Sequence, residues 1–301
     1  MFNKNAFYSS GHFYLVMLSF VIITMIQIEK VSAQETLTVR FMPADVEVGH
    51  LEYYNLLLEL ALNKTIETHG DFEMIPYEES LTQDEALQAV RRDQGLDVFP
   101  TMTSSLRERV FIPVRVPLVQ GLIGTRLLMI NSEDMSRLSD KETLEDLKEI
   151  KFGQGSDWPD TRILQRAGLQ VEGAESHGEL FQMLSNQIID AFPRAVFEIW
   201  DELQDYSGED FSVAEGYYIY YPTAMYFFTQ RSESGRELAD RLETGLNKAL
   251  DDGSFEEVFQ QQMGGFLEKA DIENRGVIRL ENPFLPEDTP TDVAKYWFID
   301  E

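Results

Sequence analysis

The chain has 301 residues, and its 53 Asp and Glu outnumber 25 Lys and Arg, which gives a net charge of −28 at neutral pH. This charge argues against nucleic acids and anionic membrane surfaces as partners, because both are bound through clusters of Lys and Arg. The sequence contains no cysteine, which excludes disulfides, thiol catalysis and thiolate metal sites. With 43% hydrophobic residues, the chain can bury a sizeable core. A length of 301 residues is typical of two domains or lobes.

The first 33 residues have the pattern of an export signal. Lys4 precedes an apolar block from Phe13 to Ile28, and small residues follow at 31–33. We predict cleavage after Ala33 and a bacterial periplasmic location. The alternative is an uncleaved signal anchor, because roughly 16 apolar residues fall only a little short of the ~20 that span a bilayer.

Beyond the signal, short β-rich runs alternate with helical patterns, which is typical of a parallel α/β sheet. The first cycle consists of predicted strands at 36–42, 72–76 and 96–99 and predicted helices at 51–68 and 82–92. Thr82 and Glu85 have the spacing of a capping box at the start of the second helix. The first helix is expected to turn one apolar stripe inward, made of Leu56, Leu57, Leu60 and Leu62.

The second cycle follows an apolar segment at 116–130 that Gly121 and Gly124 interrupt. Its predicted strands are 151–153, 169–172 and 188–192, and its predicted helices are 144–148, 159–167 and 178–184. The aromatic run at 217–229 predicts a pair of strands, and helices at 234–250 and 254–262 are expected to return to the first lobe. From 276 onward, prolines and sparse apolar positions predict an extended strap that its terminal aromatic residues, 296–298, pin to the body.

Three places make the chain resemble bacterial extracellular solute-binding proteins of family 3, the polar amino-acid type, over roughly 37–264. Arg109 is followed by Pro117 at the family's spacing of eight residues. The sequence at 152–156, FGQGS, resembles the strand and Gly-Ser turn of the family's second lobe, and 249–255 resembles the turn between its two closing helices. The resemblance implies an α/β, two-lobe, type II periplasmic-binding-protein-like fold with two hinge crossings near 121–126 and 221–225.

This fold implies a division of the chain into four segments. After a signal peptide at 1–33, lobe 1 takes 34–123 plus 225–275, lobe 2 takes 124–224, and the strap takes 276–301. The pattern of the family is broken at two positions, since Leu106 stands where Thr is common before the Arg, and Ala195 stands where amino-acid binders place an Asp for the ligand's ammonium. The resemblance therefore implies a ligand with two anionic groups, or one without the usual amine, as well as an amino acid.

Candidate ligand residues fall into two groups. Arg109 is the first choice, because a guanidinium matches a carboxylate with two parallel hydrogen bonds. Thr103, Ser104 and Ser105 offer hydroxyls beside it. The alternative interpretation is that the arginine offsets an acidic surface and that the hydroxyls form turns.

The second group belongs to the second lobe and the cleft walls. Gly155 and Ser156 precede a helix that starts near Pro159, where backbone N–H groups can face an anion, or else they form an ordinary loop capped by Asp157 or Asp160. Arg194 follows a strand end, where open α/β sheets place ligand contacts, although a surface ion pair with Glu198 is the competing interpretation. Two aromatic residues complete the set as cleft walls or core, Trp158 and Tyr54.

These residues favour a periplasmic solute-binding protein that closes on a small anionic or zwitterionic ligand, amino-acid-like or a carboxylate, for uptake or sensing. Expected partners are that solute and a membrane permease or sensor protein, with the chain itself a monomer. The rival functions are a sensor or interaction protein not coupled to transport, and a lyase or dehydratase on the same fold. The sequence pairs no nucleophile with a base, so we expect that the chain is not an enzyme and needs no cofactor. The four histidines lack metal-ligand spacing, so we expect no metal site.

Overall fold

The computed structural model describes residues 36–43, 50–79 and 81–298, and the predicted signal peptide lies outside these ranges. Residues from Thr36 onward form one compact unit. Its strands are β1 (Leu37–Phe41), β2 (Phe72–Pro76), β3 (Val98–Met102), β4 (Phe111–Pro113), β5 (Thr125–Asn131), β6 (Lys151–Gly155), β7 (Gln170–Ala174), β8 (Ala191–Ala195), β9 (Phe211–Val213), β10 (Tyr217–Tyr220), β11 (Met225–Gln230) and β12 (Gly276–Arg279).

Helices connect these strands. They are α1 (Leu51–Asn63), α2 (Ile66–His69), α3 (Gln83–Arg92), α4 (Ser105–Val110), α5 (Met135–Leu138), α6 (Leu144–Leu147), α7 (Pro159–Arg166), α8 (His177–Ser185), α9 (Ile199–Asp205), α10 (Glu233–Asp252) and α11 (Ser254–Ala270). None of the helices within the described ranges is long and apolar enough to cross a membrane.

The strands divide into two groups, which define two lobes. In the first lobe, β1 pairs with β2 in parallel, and β11 lies between β3 and β4 in an antiparallel sheet. In the second lobe, the strand order is β12-β10-β5-β8-β6-β7, with β9 also on β5. The chain passes from the first lobe to the second at 114–124 and returns at 221–224.

The two crossings touch at Gly124. The N–H of Tyr221 donates to the carbonyl of Gly124 at 3.2 Å, and a Cβ on Gly124 would overlap the carbonyl of Tyr221. Only glycine permits this approach of two backbones. The predicted hinge segments therefore lie side by side.

Helix termini follow local sequence signals. The predicted capping box is confirmed, because Thr82 and Glu85 each accept a hydrogen bond from the other's backbone N–H at the start of α3. Pro159 occupies the first turn of α7 as expected, but the helix has no side-chain cap, and Asp160 is bonded elsewhere. The predicted cap by Asp157 or Asp160 is therefore wrong.

Helix α1 shows where periodicity misplaced a side chain. Its inward face includes Leu57 and Leu62 as predicted, while Leu56 is 37% exposed. Leu51, Tyr53 and Tyr54 are also buried, so the buried face begins at the first residue of the helix. The helix also ends at Asn63, and 66–69 form a separate short turn of helix.

The tail contains a strand that the sequence did not indicate. Residues 276–279 pair in parallel with β10 at the edge of the second-lobe sheet. The rest of the tail then returns to the first lobe, where the hydroxyl of Tyr296 donates to Asn247 on α10 at 2.7 Å. The expected pinning by the terminal aromatic residues is confirmed at Tyr296, but the tail also belongs to the second-lobe sheet.

Candidate functional site: a cleft between the lobes

A cavity of about 400 Å³, here called the cleft, lies between the two lobes. Its first-lobe wall comes from α1, the start of α3, and the ends of β3 and β11. Its second-lobe wall comes from the loops that follow β6, β7 and β8. Because these three strands run parallel, their carboxyl ends meet at one edge, where open α/β sheets place ligands.

The predicted site residues separate into two places. Tyr54, Gly155, Ser156, Trp158 and Arg194 line the cleft. A second cavity of about 250 Å³ is lined by Arg109, Ser104 and Ser105, and Trp158 lines both cavities.

Thr103 and Ser156 already form hydrogen bonds within the protein. Thr103 lies outside both cavities, is buried, and donates its hydroxyl to Glu108 at 2.7 Å. The backbone N–H of Ser156 donates to the carbonyl of Ala174 at 2.9 Å. That N–H group therefore does not point at an anion in this structure.

Arg126 is a cleft residue that sequence reasoning missed. It lies on β5 and is only 3% exposed. Its Nε donates to the hydroxyl of Tyr221 at 3.0 Å, its Nη2 to the carboxylate of Asp160, and its Nη1 to Glu198 at 3.4 Å. Burial opposes the charge of Arg126, but Asp160, Tyr221 and Glu198 together outweigh burial and raise the pKa of the guanidinium.

Arg194 is also held by carboxylates, not left free for a ligand. Its Nε donates to Glu202 at 2.7 Å, and its Nη2 lies 3.1 Å from Glu198. The guanidinium stacks over the rings of Phe192 and Trp158, with centroid distances of 4.8 and 5.3 Å. The predicted ion pair with Glu198 is present, but it is buried and not on the surface.

Glu202 completes a chain of polar contacts behind the cleft. Its carboxylate lies 3.0 Å from the Nε2 of His177, which itself lines the cleft. Burial disfavours ionisation of Glu202, but the charge of Arg194 and the hydrogen bond from His177 outweigh burial and lower its pKa to about 2. Glu202 is therefore an anion at every physiological pH.

The cleft as a whole is electronegative. Its two arginines face six carboxylate side chains along the lining, which belong to Asp84, Glu85, Asp157, Asp160, Glu175 and Glu198. Both arginines are bonded to carboxylates, whereas the side-chain carboxylates of Asp84, Asp157 and Glu175 are exposed and have no hydrogen-bond partner among the described residues. An arrangement with surplus negative charge attracts a positively charged group.

Two residues of the cleft lining, Arg194 and Glu198, each keep one polar atom that no hydrogen bond within the described residues uses. Nη1 of Arg194 and Oε1 of Glu198 make no hydrogen bond to the described residues, while the other atoms of both groups are engaged. One is a donor and the other an acceptor, on two side chains whose Nη2 and Oε2 atoms lie 3.1 Å apart. This pair of atoms matches a carboxylate and an ammonium group carried on one small molecule.

Neither Arg126 nor Glu198 was predicted as a cleft residue, although the sequence around Arg126 carries a usable signal. Arg126 is a single charge within an apolar strand, TRLLMI, which is a recognisable sign of a buried ion pair. Glu198 was considered only as a surface partner of Arg194. No cluster of metal-ligating side chains occurs in the part of the chain that the structure describes.

No protein-family model matches the chain, and no curated protein matches it in sequence. Solved structures match in fold. A periplasmic binding protein of Salmonella typhimurium with high arginine specificity is 14% identical with a TM-score of 0.55, and the match covers 75% of this chain and 99% of that one. An amino acid ABC transporter substrate-binding protein of Streptococcus pneumoniae bound to L-arginine is 16% identical, has a TM-score of 0.53, and covers 81% and 99%.

A third match is the GluR0 ligand-binding core of Nostoc punctiforme in complex with L-glutamate. It is 12% identical, has a TM-score of 0.50, and covers 75% of this chain and 98% of that one. The predicted fold is therefore confirmed: the chain has the two-lobe α/β fold of periplasmic binding proteins. At sequence identities this low, the structural similarity establishes the fold but not the identity of the ligand.

Proposed function

We propose that the chain is a solute-binding protein whose cleft closes on a small zwitterionic solute of the amino-acid class. The observation that carries the proposal is that the ion-paired side chains of Arg194 and Glu198, which line a cavity formed by both lobes, keep one unused donor and one unused acceptor. Hinge closure around a solute is an established way for two lobes to trap a ligand. The neighbours of known structure that bind arginine or glutamate support the same class of ligand.

In this proposal, Glu198 takes the role that the missing Asp at Ala195 would have. Ala195 lies at the end of β8, and its N–H donates to Oε2 of Glu198 at 3.0 Å, which brings the carboxylate back toward the strand end. The ligand's ammonium then binds Oε1 of Glu198, and its carboxylate binds Nη1 of Arg194. A purely anionic ligand has less support, because both cleft arginines already have carboxylate partners.

The proposal includes how the protein would work in the cell. Segments 34–123 plus 225–275 and 124–224 act as the two closing bodies, although β12 adds the tail to the second. An exported, closed form presents both lobes to a membrane permease, which is uptake, or to a sensor protein, which is sensing. The distant likeness to transporter substrate-binding proteins favours uptake over an enzyme on the same fold.

Thermal unfolding of the purified protein against a panel of small solutes tests the ligand class. A ligand present at ~100 times its dissociation constant adds ~2.7 kcal/mol to stability, which for a chain of this size is a shift on the order of 5 to 10 °C. We expect shifts with free amino acids and none with the matched N-acetylated compounds, which keep the carboxylate but lose the ammonium charge. Equal shifts with both sets, or shifts with dicarboxylates alone, would contradict the proposal.

A further inference from the structure

The second cavity shares the segment 157–159 with the lining of the cleft. Its lining residues are Ser104, Ser105, Leu106, Arg107, Arg109, Asp157, Trp158, Pro159, Arg162 and Phe284. Three arginines around one small cavity are unexpected in a chain with a net charge of −28. The lining contains one carboxylate, Asp157, so it has two positive charges in excess.

Arg107 is the buried member of this cluster, with 8% of its surface exposed. Its Nη1 donates to the hydroxyl of Thr101 and to the carbonyl of Met102, both at 2.7 Å. Its Nε and Nη2 make no hydrogen bond to the described residues, and none of the described carboxylates forms an ion pair with it. A buried cation whose remaining donors lack a partner is costly unless an anion binds them.

The pKa of Arg107 reflects this shortage of negative charge. Burial lowers the pKa to about 10, and the more distant charges of Asp157 and Asp160 do not restore it. The contrast with Arg126 and Arg194 is direct, since both are equally buried and their contacting carboxylates raise their pKa values. Arg107 therefore lacks the counter-ion that the protein supplies to its other buried arginines.

The other two arginines approach the cavity from both lobes. Arg109 comes from α4 in the first lobe and Arg162 from α7 in the second, and both are exposed and free of ion pairs with the described carboxylates. The tail covers the cavity through Phe284, whose carbonyl accepts from the N–H and the hydroxyl of Ser105 at 3.2 and 3.0 Å. The cavity is thus walled by both lobes and by the tail.

We propose that this second cavity is a binding site for a small dianionic oxyanion with the chemistry of phosphate or sulfate, separate from the cleft. The planar guanidinium of Arg107 presents Nε and Nη2 as a two-point donor for such an anion, and Arg109 and Arg162 supply the rest of the charge. The two excess positive charges of the lining match the two negative charges of the anion.

Titration calorimetry with inorganic phosphate, at constant ionic strength, tests the site on the purified protein. We expect saturable binding of one phosphate per chain, competition by sulfate, and no competition by chloride at equal ionic strength. Arg162→Ala should weaken binding at least about tenfold, because it removes one charge-assisted contact. Arg166→Ala is the matched control, since Arg166 is an exposed arginine one turn along the same helix and lies outside both cavities.

Three results would overturn the site: no saturable binding, equal losses in the two variants, or competition between phosphate and a solute that binds the cleft. Arg107→Lys gives a second check, because lysine keeps the charge but loses the two-point donor. It should weaken phosphate binding more than Arg166→Ala does, and unchanged affinity would count against the site. Glu198→Gln separates this proposal from the proposed function, because it should leave phosphate binding intact whether or not the cleft binds a solute.

Discussion

The side chain of Arg194 is held by Glu198 and Glu202 before any solute arrives. Such a buried ion pair costs desolvation, and removing one partner leaves the other charge uncompensated. The arrangement fixes the guanidinium, so that its remaining donor has one position in the cleft. Ligand contact and structural support are therefore combined in one residue, and an Arg194→Ala variant would disturb both.

The Glu202→Gln variant tests the structural role of the Arg194 ion pair separately from ligand contact. The pKa of Glu202 falls from its usual 4.5 to about 2 in the folded protein, so its charge contributes stability that is complete above pH 4.5. That contribution is lost as the pH falls toward 2. We expect the variant to lose about 3 kcal/mol of unfolding free energy at pH 7 and to differ little from wild type near pH 2.

Urea unfolding at several pH values measures this difference. Glu67→Gln is a suitable control, because Glu67 is an exposed glutamate far from the cleft and should cost little at any pH. A deficit in Glu202→Gln that stays constant from pH 7 to pH 2 would show that the ion pair with Arg194 does not account for it.

At the residue scale, the sequence predicted which types of residue form the site better than it predicted where their side chains point. Arg194 was found because it follows the strand predicted at 188–192, whereas the structure places it within β8 and in the cleft lining. Arg109 was preferred over Arg107, yet Arg107 is the buried one of the two. A helix turns by about 100° per residue, so a helix of six residues can present either side chain, and only the packing of α4 decides which.

Among the elements, α10 and α1 pack unusually closely at one point. A Cβ on Gly245 would lie 2.6 Å from the carbonyl carbon of Ala61, closer than real side chains approach backbone. We expect Gly245→Ala to destabilise the protein by about 2 kcal/mol, because the two helices must move apart. Thermal or chemical unfolding measures the loss.

Gly265→Ala is the matched control for that prediction. Gly265 lies in α11, is exposed, and has open space where a Cβ would stand. Alanine there should stabilise the helix by roughly 0.5 to 1 kcal/mol through its better helix propensity. If Gly245→Ala were also neutral or stabilising, the close packing of α10 on α1 would be wrong.

Elements with strong local signals were predictable, and those defined by distant pairing were not. The capping box predicted the start of α3, and the alternation of strands and helices predicted the α/β class. The parallel pairing predicted for the first lobe holds for β1 and β2 but is wrong for β3, which pairs with β11 antiparallel. In contrast, β12 has only four residues, and three of them are exposed. Its strand conformation comes from pairing with β10, which lies nearly 60 residues earlier in the sequence, and no local pattern reports such a contact.

For the whole molecule, the tail adds a connection between the lobes beyond the two hinge crossings. It pairs with β10 in the second lobe, and its last described residues contact the first lobe, where the N–H of Phe298 donates to the carbonyl of Gln120 at 2.9 Å. Gln120 lies within the first crossing. Any opening of the cleft must therefore be accommodated by the tail as well as by the hinge.

Charge acts at this scale too. The composition argued against nucleic acid as a partner, but the sign of the charge in the cleft could not be predicted from it, because that sign depends on which carboxylates share one cavity. The structure brings six of them to the cleft and three arginines to the second cavity. A negative cleft beside a positive pocket is the basis for assigning different ligands to the two.

The central claim is that Glu198 in the cleft receives the ammonium group of a small zwitterion. It is tested most directly by titration calorimetry, using the amino acid that gives the largest thermal shift, on wild type, Glu198→Gln and Glu172→Gln. Glu172 is exposed and lies outside the cleft, so its variant makes the same charge change elsewhere on the second lobe. We predict at least about tenfold weaker binding for Glu198→Gln, from loss of a charge-assisted contact, and wild-type affinity for Glu172→Gln. Equal affinities in all three proteins would contradict the claim.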